Sequence, residues 1–172
     1  MTRRHLFWAG FAVLLAALGS LWIAQGSRAG SRSGPVDELL SQSMKDSAGR
    51  VQSLGQWRNR PLVVNFWATW CAPCVKEIPE LSALQTQLTP HHIQIIGIGI
   101  DSPENIAEFG KKYNIAYPLY TGGMDASELT RKLGDKEGGL PFTVVIGRDG
   151  KVVRTFLGKL KMDELRAELD RL

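Results

Sequence analysis

Cysteine and histidine are scarce in this sequence, 2 and 3 among 172 residues, and the shortage excludes several chemistries. A closed zinc site needs four ligands. Beyond Cys71 and Cys74 the main part of the chain offers only His91 and His92, and adjacent histidines point apart on most backbones. Covalent c-type haem attachment needs a histidine directly after the second cysteine, where Val75 stands. Internal repeats and N-glycosylation signals are missing as well. A large basic excess is also lacking, since 21 Lys and Arg face 17 Asp and Glu. Arg3, Arg4, Arg28, Arg32, Lys45 and Arg50 all fall in the N-terminal region. No basic face therefore marks the folded part as a nucleic-acid binder, and no nucleic-acid partner is expected.

Charge is absent from Leu6 to Ala24, LFWAGFAVLLAALGSLWIA, where Ser20 is the one polar residue. At about 1.5 Å per residue a helix of this length crosses the roughly 30 Å hydrocarbon core, with Trp8 and Trp22 at the interfaces. Arg3 and Arg4 favour residues 1–5 in the cytoplasm. The expectation is a single-pass inner-membrane protein with its domain in the periplasm. The rival reading, a cleaved signal peptide, lacks a good site: a cut after Ala24 puts Trp22 at minus three, and one after Gly19 shortens the apolar core. Cleavage would give a soluble periplasmic or secreted protein, so both readings export the domain. Gln25 to Pro35, QGSRAGSRSGP, has no large apolar residue and reads as a flexible tether. Residues 36–172 remain as the folded domain, a length suited to one α/β unit with its own core.

Strand and helix signals alternate through that domain. A β-hairpin is expected around the turn cluster Asp46-Ser47-Ala48-Gly49. PLVVNFWA, Pro61 to Ala68, is continuous and β-rich, as in a strand buried on both faces. A helix follows from Cys71 to Leu88, with Pro73 in its first turn, a kink at Pro79, and Leu81, Leu84 and Leu88 turned inward. IQIIGIGI, Ile93 to Ile100, reads as a second buried strand. Ser102 caps and Pro103 opens a helix whose inward stripe is Ile106, Phe109 and Tyr113. A short strand near Tyr117 to Tyr120, a helix near Asp125 to Leu133 and a hairpin turning at Asp149-Gly150 come next. A last helix places Leu165, Leu169 and Leu172 on one face. The sum is an α/β fold, a mixed sheet between helices.

WATWCAPCVKEIP, Trp67 to Pro79, holds both cysteines at the hand-over from buried strand to helix. As a structural staple the pair closes a loop of about four residues, worth roughly 2 kcal/mol before strain, a weak return for a domain with this core. As a redox couple it has a mechanism. At the helix N-terminus, unpaired N–H groups and the dipole stabilise a Cys71 thiolate, and Cys74, one turn on, is placed to resolve a mixed disulfide.

VVNFWATWCAPCVKEIP, together with GGLPFTVVIGRDGKVV from Gly138 to Val153, resembles the thioredoxin-fold thiol-disulfide oxidoreductases of the TlpA/ResA/DsbE type. This is the exported or membrane-tethered branch associated with cytochrome c maturation and related thiol reduction. The resemblance runs from about Leu39 to the C-terminus. It implies a thioredoxin fold with an N-terminal β-hairpin and a helix and strand inserted between Asp101 and Pro141. It also implies that Cys71 is the exposed nucleophile, Cys74 the buried partner, and Trp70 the aromatic residue beside the disulfide. Leu140-Pro141 matches a loop whose proline is cis and faces the cysteines, leaving backbone groups free to hold an extended substrate. Many thioredoxins carry a buried aspartate six positions before the first cysteine, where Asn65 stands here. This branch has instead a glutamate three positions after the second cysteine, here Glu77, on the helix face of Cys74. Glu77 is expected to have a raised pKa and to carry the proton of Cys74; the competing expectation is a solvated charge like Lys76.

Ala72-Pro73, between the cysteines, supplies neither charge nor a donor beyond backbone N–H. A less stabilised thiolate favours the disulfide and makes the better reductant. The expectation is a monomeric enzyme without a cofactor that reduces disulfides of exported proteins. Apocytochrome c is the leading client, and a transmembrane thiol donor of the DsbD/CcdA kind recharges the site. Copper delivery by the two thiols stays open, as does an oxidant or a general reductase with other clients. A peroxidase is disfavoured, because Ala68 and Val64 stand where it needs a hydroxyl residue and a proline.

Overall fold

The computed structural model describes residues 34–172; the expected membrane anchor and most of the tether lie outside them. Pro35, the last residue of the expected tether, opens helix α1 (Pro35–Leu40), which buries Val36, Leu39 and Leu40. Strands β1 (Ser43–Asp46) and β2 (Val51–Ser53) form the expected hairpin, with Met44 opposite Gln52. Asp46 fixes the turn: its Oδ1 accepts from the N–H groups of Ala48 and Arg50, both at 2.9 Å.

Strand β3 (Leu62–Trp67) is buried at every position, which is why its sequence is an unbroken apolar run apart from Asn65. It pairs parallel with β4 (Gln94–Gly99) and antiparallel with β6 (Phe142–Ile146). With β5 (Leu119–Thr121) and β7 (Val152–Leu157) the sheet has seven strands in the order β2-β1-β5-β4-β3-β6-β7. The period of two sends Val63 and Trp67 to one face, and Leu62, Val64 and Phe66 to the other. Helices α2 (Ala72–Leu88), α3 (Pro103–Tyr113) and α5 (Met162–Leu169) cover the first face. Helices α1 and α4 (Ala126–Lys132) cover the second. Fully burying a large apolar side chain is worth about 1.5–3 kcal/mol, so these two layers, not the short Cys71–Cys74 loop, hold the domain together.

Helix α2 runs to Leu88 with Pro79 inside it, as expected. Two sequence expectations change in detail. Tyr113, expected in the core, is 38% exposed; it ends α3 and stacks on the outer side of Phe109 with ring centroids 4.4 Å apart. Leu172 lies beyond the end of α5 and is 40% exposed, so only Leu165 and Leu169 of its stripe are buried. The glycines of β4 have a packing reason, since a Cβ on Gly99 would lie 2.4 Å from Cδ1 of Ile106 on α3. Among the described residues no helix is long and apolar enough to cross a membrane.

Candidate active site

The sheet delivers the cysteines to the C-terminal end of β3. After Trp67 the chain turns once, with the Cys71 N–H donating to the Ala68 carbonyl at 3.2 Å, and Cys71 becomes the N-cap of α2. Its Sγ accepts from the Cys74 N–H at 3.3 Å, so the sulfur occupies the place where a helix offers unpaired donors. Cys71 and Cys74 are joined in a disulfide with Cα atoms 5.3 Å apart. The resemblance implied an exposed Cys71; in this disulfide form it is only 7% exposed, and Cys74 is fully buried. Trp70, beside the pair, is 69% exposed.

A carboxylate not anticipated from sequence ties this turn down. Asp101, two residues beyond β4, accepts through Oδ2 from the Thr69 N–H at 3.1 Å and from the Thr69 hydroxyl. Its Oδ1 accepts from the Ser102 N–H and from Asn105 Nδ2, each at 2.7 Å. Burial pushes its carboxyl up, but the bonds from Thr69, Asn105 and Ser102 outweigh that and hold it below the usual range. One usable signal was its position, directly past the C-terminal end of the strand beside β3, where α/β sheets place their functional groups.

On its other side the disulfide borders a groove of about 490 Å³ whose walls include Trp70, Cys71, Pro73, Met124 and Leu140. The Leu140-Pro141 bond is cis. Leu140 lines the groove, whereas Pro141 is buried behind it. The free backbone groups expected here belong to Leu140, whose N–H and C=O have no partner among the described residues. The Pro141 carbonyl is already taken, accepting from the Gly158 N–H at 2.8 Å. Asp135, also unanticipated, shapes the approach to this loop: buried, it accepts through Oδ1 from the N–H groups of Gly138 at 2.9 Å and Gly139 at 3.3 Å.

Glu77 is fully buried, not a solvated helix charge. Its Oε1 accepts from Asn65 Nδ2 at 2.8 Å, and its Oε2 from the Leu160 N–H at 3.0 Å. Asn65 Nδ2 donates also to Thr143 Oγ1 at 3.0 Å. Burial pushes the Glu77 carboxyl up, the Leu160 N–H and Asn65 pull it down, and the balance stays above the usual carboxylate range. Asn65 on the strand and Glu77 on the helix, twelve positions apart, are thus one hydrogen-bonded unit under α2. Among the described residues no three His, Cys, Asp or Glu side chains gather as metal ligands do.

A dithiol at a helix N-terminus, open on one side to a groove and backed by a buried acid, can exchange disulfides. The Redoxin family model matches residues 33–170 of this chain. The thiol-disulfide oxidoreductase ResA of Geobacillus thermodenitrificans is 26% identical over 163 residues, 92% of this chain and 89% of that protein. That of Bacillus cereus is 30% identical over 129 residues, 74% of this chain and 72% of that protein. Among solved structures, a thioredoxin-family thiol:disulfide interchange protein from Chlorobium tepidum superposes with a TM-score of 0.66 at 26% identity, covering 83% of this chain and 98% of its own. The chain belongs to the Redoxin family and is a thiol-disulfide oxidoreductase of the TlpA/ResA/DsbE type.

Proposed function

We propose that this enzyme works outside the cytoplasm as a reductase of disulfides in exported proteins, with Cys71 as nucleophile, Cys74 as resolving thiol and Glu77 as proton carrier. The observation that carries the reading is the fully buried Glu77 carboxyl, one helical turn from the buried Cys74 and held by Asn65 and the Leu160 N–H. In the reduced enzyme the Cys71 thiolate attacks one client sulfur, forming a mixed disulfide and releasing the other client sulfur as a thiolate. Glu77 then takes the Cys74 proton. The Cys74 thiolate attacks the Cys71 sulfur, closes the disulfide and expels the second client sulfur, to which the proton is returned. Two electrons pass to the client, and a membrane dithiol donor of the DsbD/CcdA kind restores them.

Trp70 and Leu140 form the client-facing wall with Pro141 behind it as the residue that sets the loop, the free Leu140 backbone offering one donor and one acceptor to an extended segment. Apocytochrome c is the leading client, supported by the kinship with ResA. Anchoring through Leu6 to Ala24 is supported by the uncharged run, and the Gly/Ser/Arg-rich segment that follows from Gln25 would be the tether, ending where α1 starts. The test is trapping: Cys74→Ser in cells should accumulate mixed disulfides through Cys71, with partners identified by mass spectrometry. Failure to trap any protein would refute the assignment of Cys71; partners without a cytochrome would replace the client and leave the reductase.

A further inference from the structure

Asn65 is fully buried in the middle of β3, between Gly97 of β4 and Thr143 of β6. A polar side chain in such a place costs free energy unless it is partnered. Its Nδ2 spends both hydrogens, one on Glu77 and one on Thr143, while its Oδ1 is buried without a partner among the described residues. We infer that Asn65 is the positioning residue of Glu77 and that its carboxamide serves both protonation states of that carboxyl group. Nδ2 donates to the carboxylate; after a half-turn about χ2, Oδ1 accepts from the carboxylic acid while Nδ2 takes the unpartnered position of Oδ1, so the amide favours the carboxylate of the two states. The inference rests on Glu77 being the proton carrier of Cys74.

Proton balance supplies the reason. When Cys74 gives its proton to Glu77, a thiolate and a carboxylic acid result, and the new O–H needs an acceptor in a place closed to water. The Leu160 N–H on the other carboxyl oxygen is a donor only. A carboxamide carries donors and an acceptor on one plane, and the Thr143 hydroxyl can accept from one orientation and donate to the other. An aspartate at position 65 would meet the carboxylate with like charge, and a leucine would leave Oε1 without its donor. The remaining groups that act on Glu77 are Glu80 on its own helix, Lys159 beside Leu160, and the buried Tyr117 hydroxyl ahead of β5. Neither β3 nor β6 brings a titratable group to it.

The experiment follows the reduced protein as it reduces dithiobis(nitrobenzoate), reading the pH dependence of the second nitrothiobenzoate release, the step in which Cys74 must give up its proton. Wild type, Asn65→Asp, Asn65→Leu and Glu77→Gln are compared, with circular dichroism verifying the fold. Wild type should show an inflexion from Glu77, absent in Glu77→Gln. Two carboxyls at hydrogen-bond distance share one proton, so Asn65→Asp should move the inflexion up by about two pH units. Asn65→Leu should move it up by about one, because the bond it removes from the carboxylate is charge-assisted, whereas the one to the acid is neutral and leaves Nδ2 unpartnered. Leucine adds no charge and keeps the volume, so it carries the test if aspartate unfolds the domain. A folded Asn65→Leu with the wild-type profile overturns the role of Asn65. An unchanged profile in Glu77→Gln overturns the proton-carrier reading instead.

Discussion

At the scale of single residues, the acid of this site is set on the helix and its amide partner on the strand, and the fold brings the two to 2.8 Å. The three-residue spacing from Cys74 already placed Glu77 on the right face of a helix. Its second partner could not be read that way, because Leu160 is 83 positions away in sequence and donates through its backbone, which leaves no mark on residue type. Glu77→Gln should slow the ring-closing attack of Cys74 by roughly 10²-fold, the lower end of what positioned general acid–base groups supply. The first attack by Cys71 should keep its rate; stopped-flow measurement of the two releases separates them. Glu77→Ala leaves one of the two Asn65 Nδ2 hydrogens and the Leu160 N–H buried without an acceptor. At about 1–3 kcal/mol for each unsatisfied group, it should lower the midpoint of urea unfolding well below that of Glu77→Gln.

At the scale of elements, the reactive turn is held between the end of β3 and the start of α3 by Asp101. The strand, the N-cap of α2 and the Ser102 cap of α3 were all legible, since each depends on neighbours along the chain. The clamp was not, because it needs the parallel register of β3 and β4, which sets Trp67 beside Gly99. Asp101→Ala removes the acceptor for Thr69, Ser102 and Asn105 at once. Hydrogen exchange at the Thr69 and Ser102 amides should quicken by about tenfold or more, each lost bond to the carboxylate being worth about 1.5–3 kcal/mol. Exchange in β6 should stay unchanged. Equal acceleration throughout the sheet would mean that Asp101 serves global stability and not the turn.

At the scale of the whole molecule, the order of strands and helices followed from hydrophobic periodicity. The attachment of the β1–β2 hairpin to the β5 edge did not, nor did the exposure of Tyr113 and Leu172, which depends on where the helices end. Two carboxyl groups near the site give stability opposite pH slopes. The raised carboxyl of Glu77 contributes fully below its unfolded pKa, and that contribution is lost as pH rises through the folded value. The depressed carboxyl of Asp101 contributes above its unfolded pKa and is lost as pH falls through the folded value. Urea unfolding of the oxidised enzyme should therefore show greater stability in mild acid than at neutral pH, then a decline in stronger acid. Glu77→Gln should flatten the first slope and leave the second.

Redox direction is the central claim, and the equilibrium potential of Cys71–Cys74 tests it most directly, by titration against glutathione or dithiothreitol buffers with alkylation of the free thiols. Ala72-Pro73 adds no charge to hold a thiolate, so the couple should be reducing, near the roughly −270 mV of thioredoxin and below about −200 mV. A value near −120 mV, that of a strong oxidant of this fold, would contradict it.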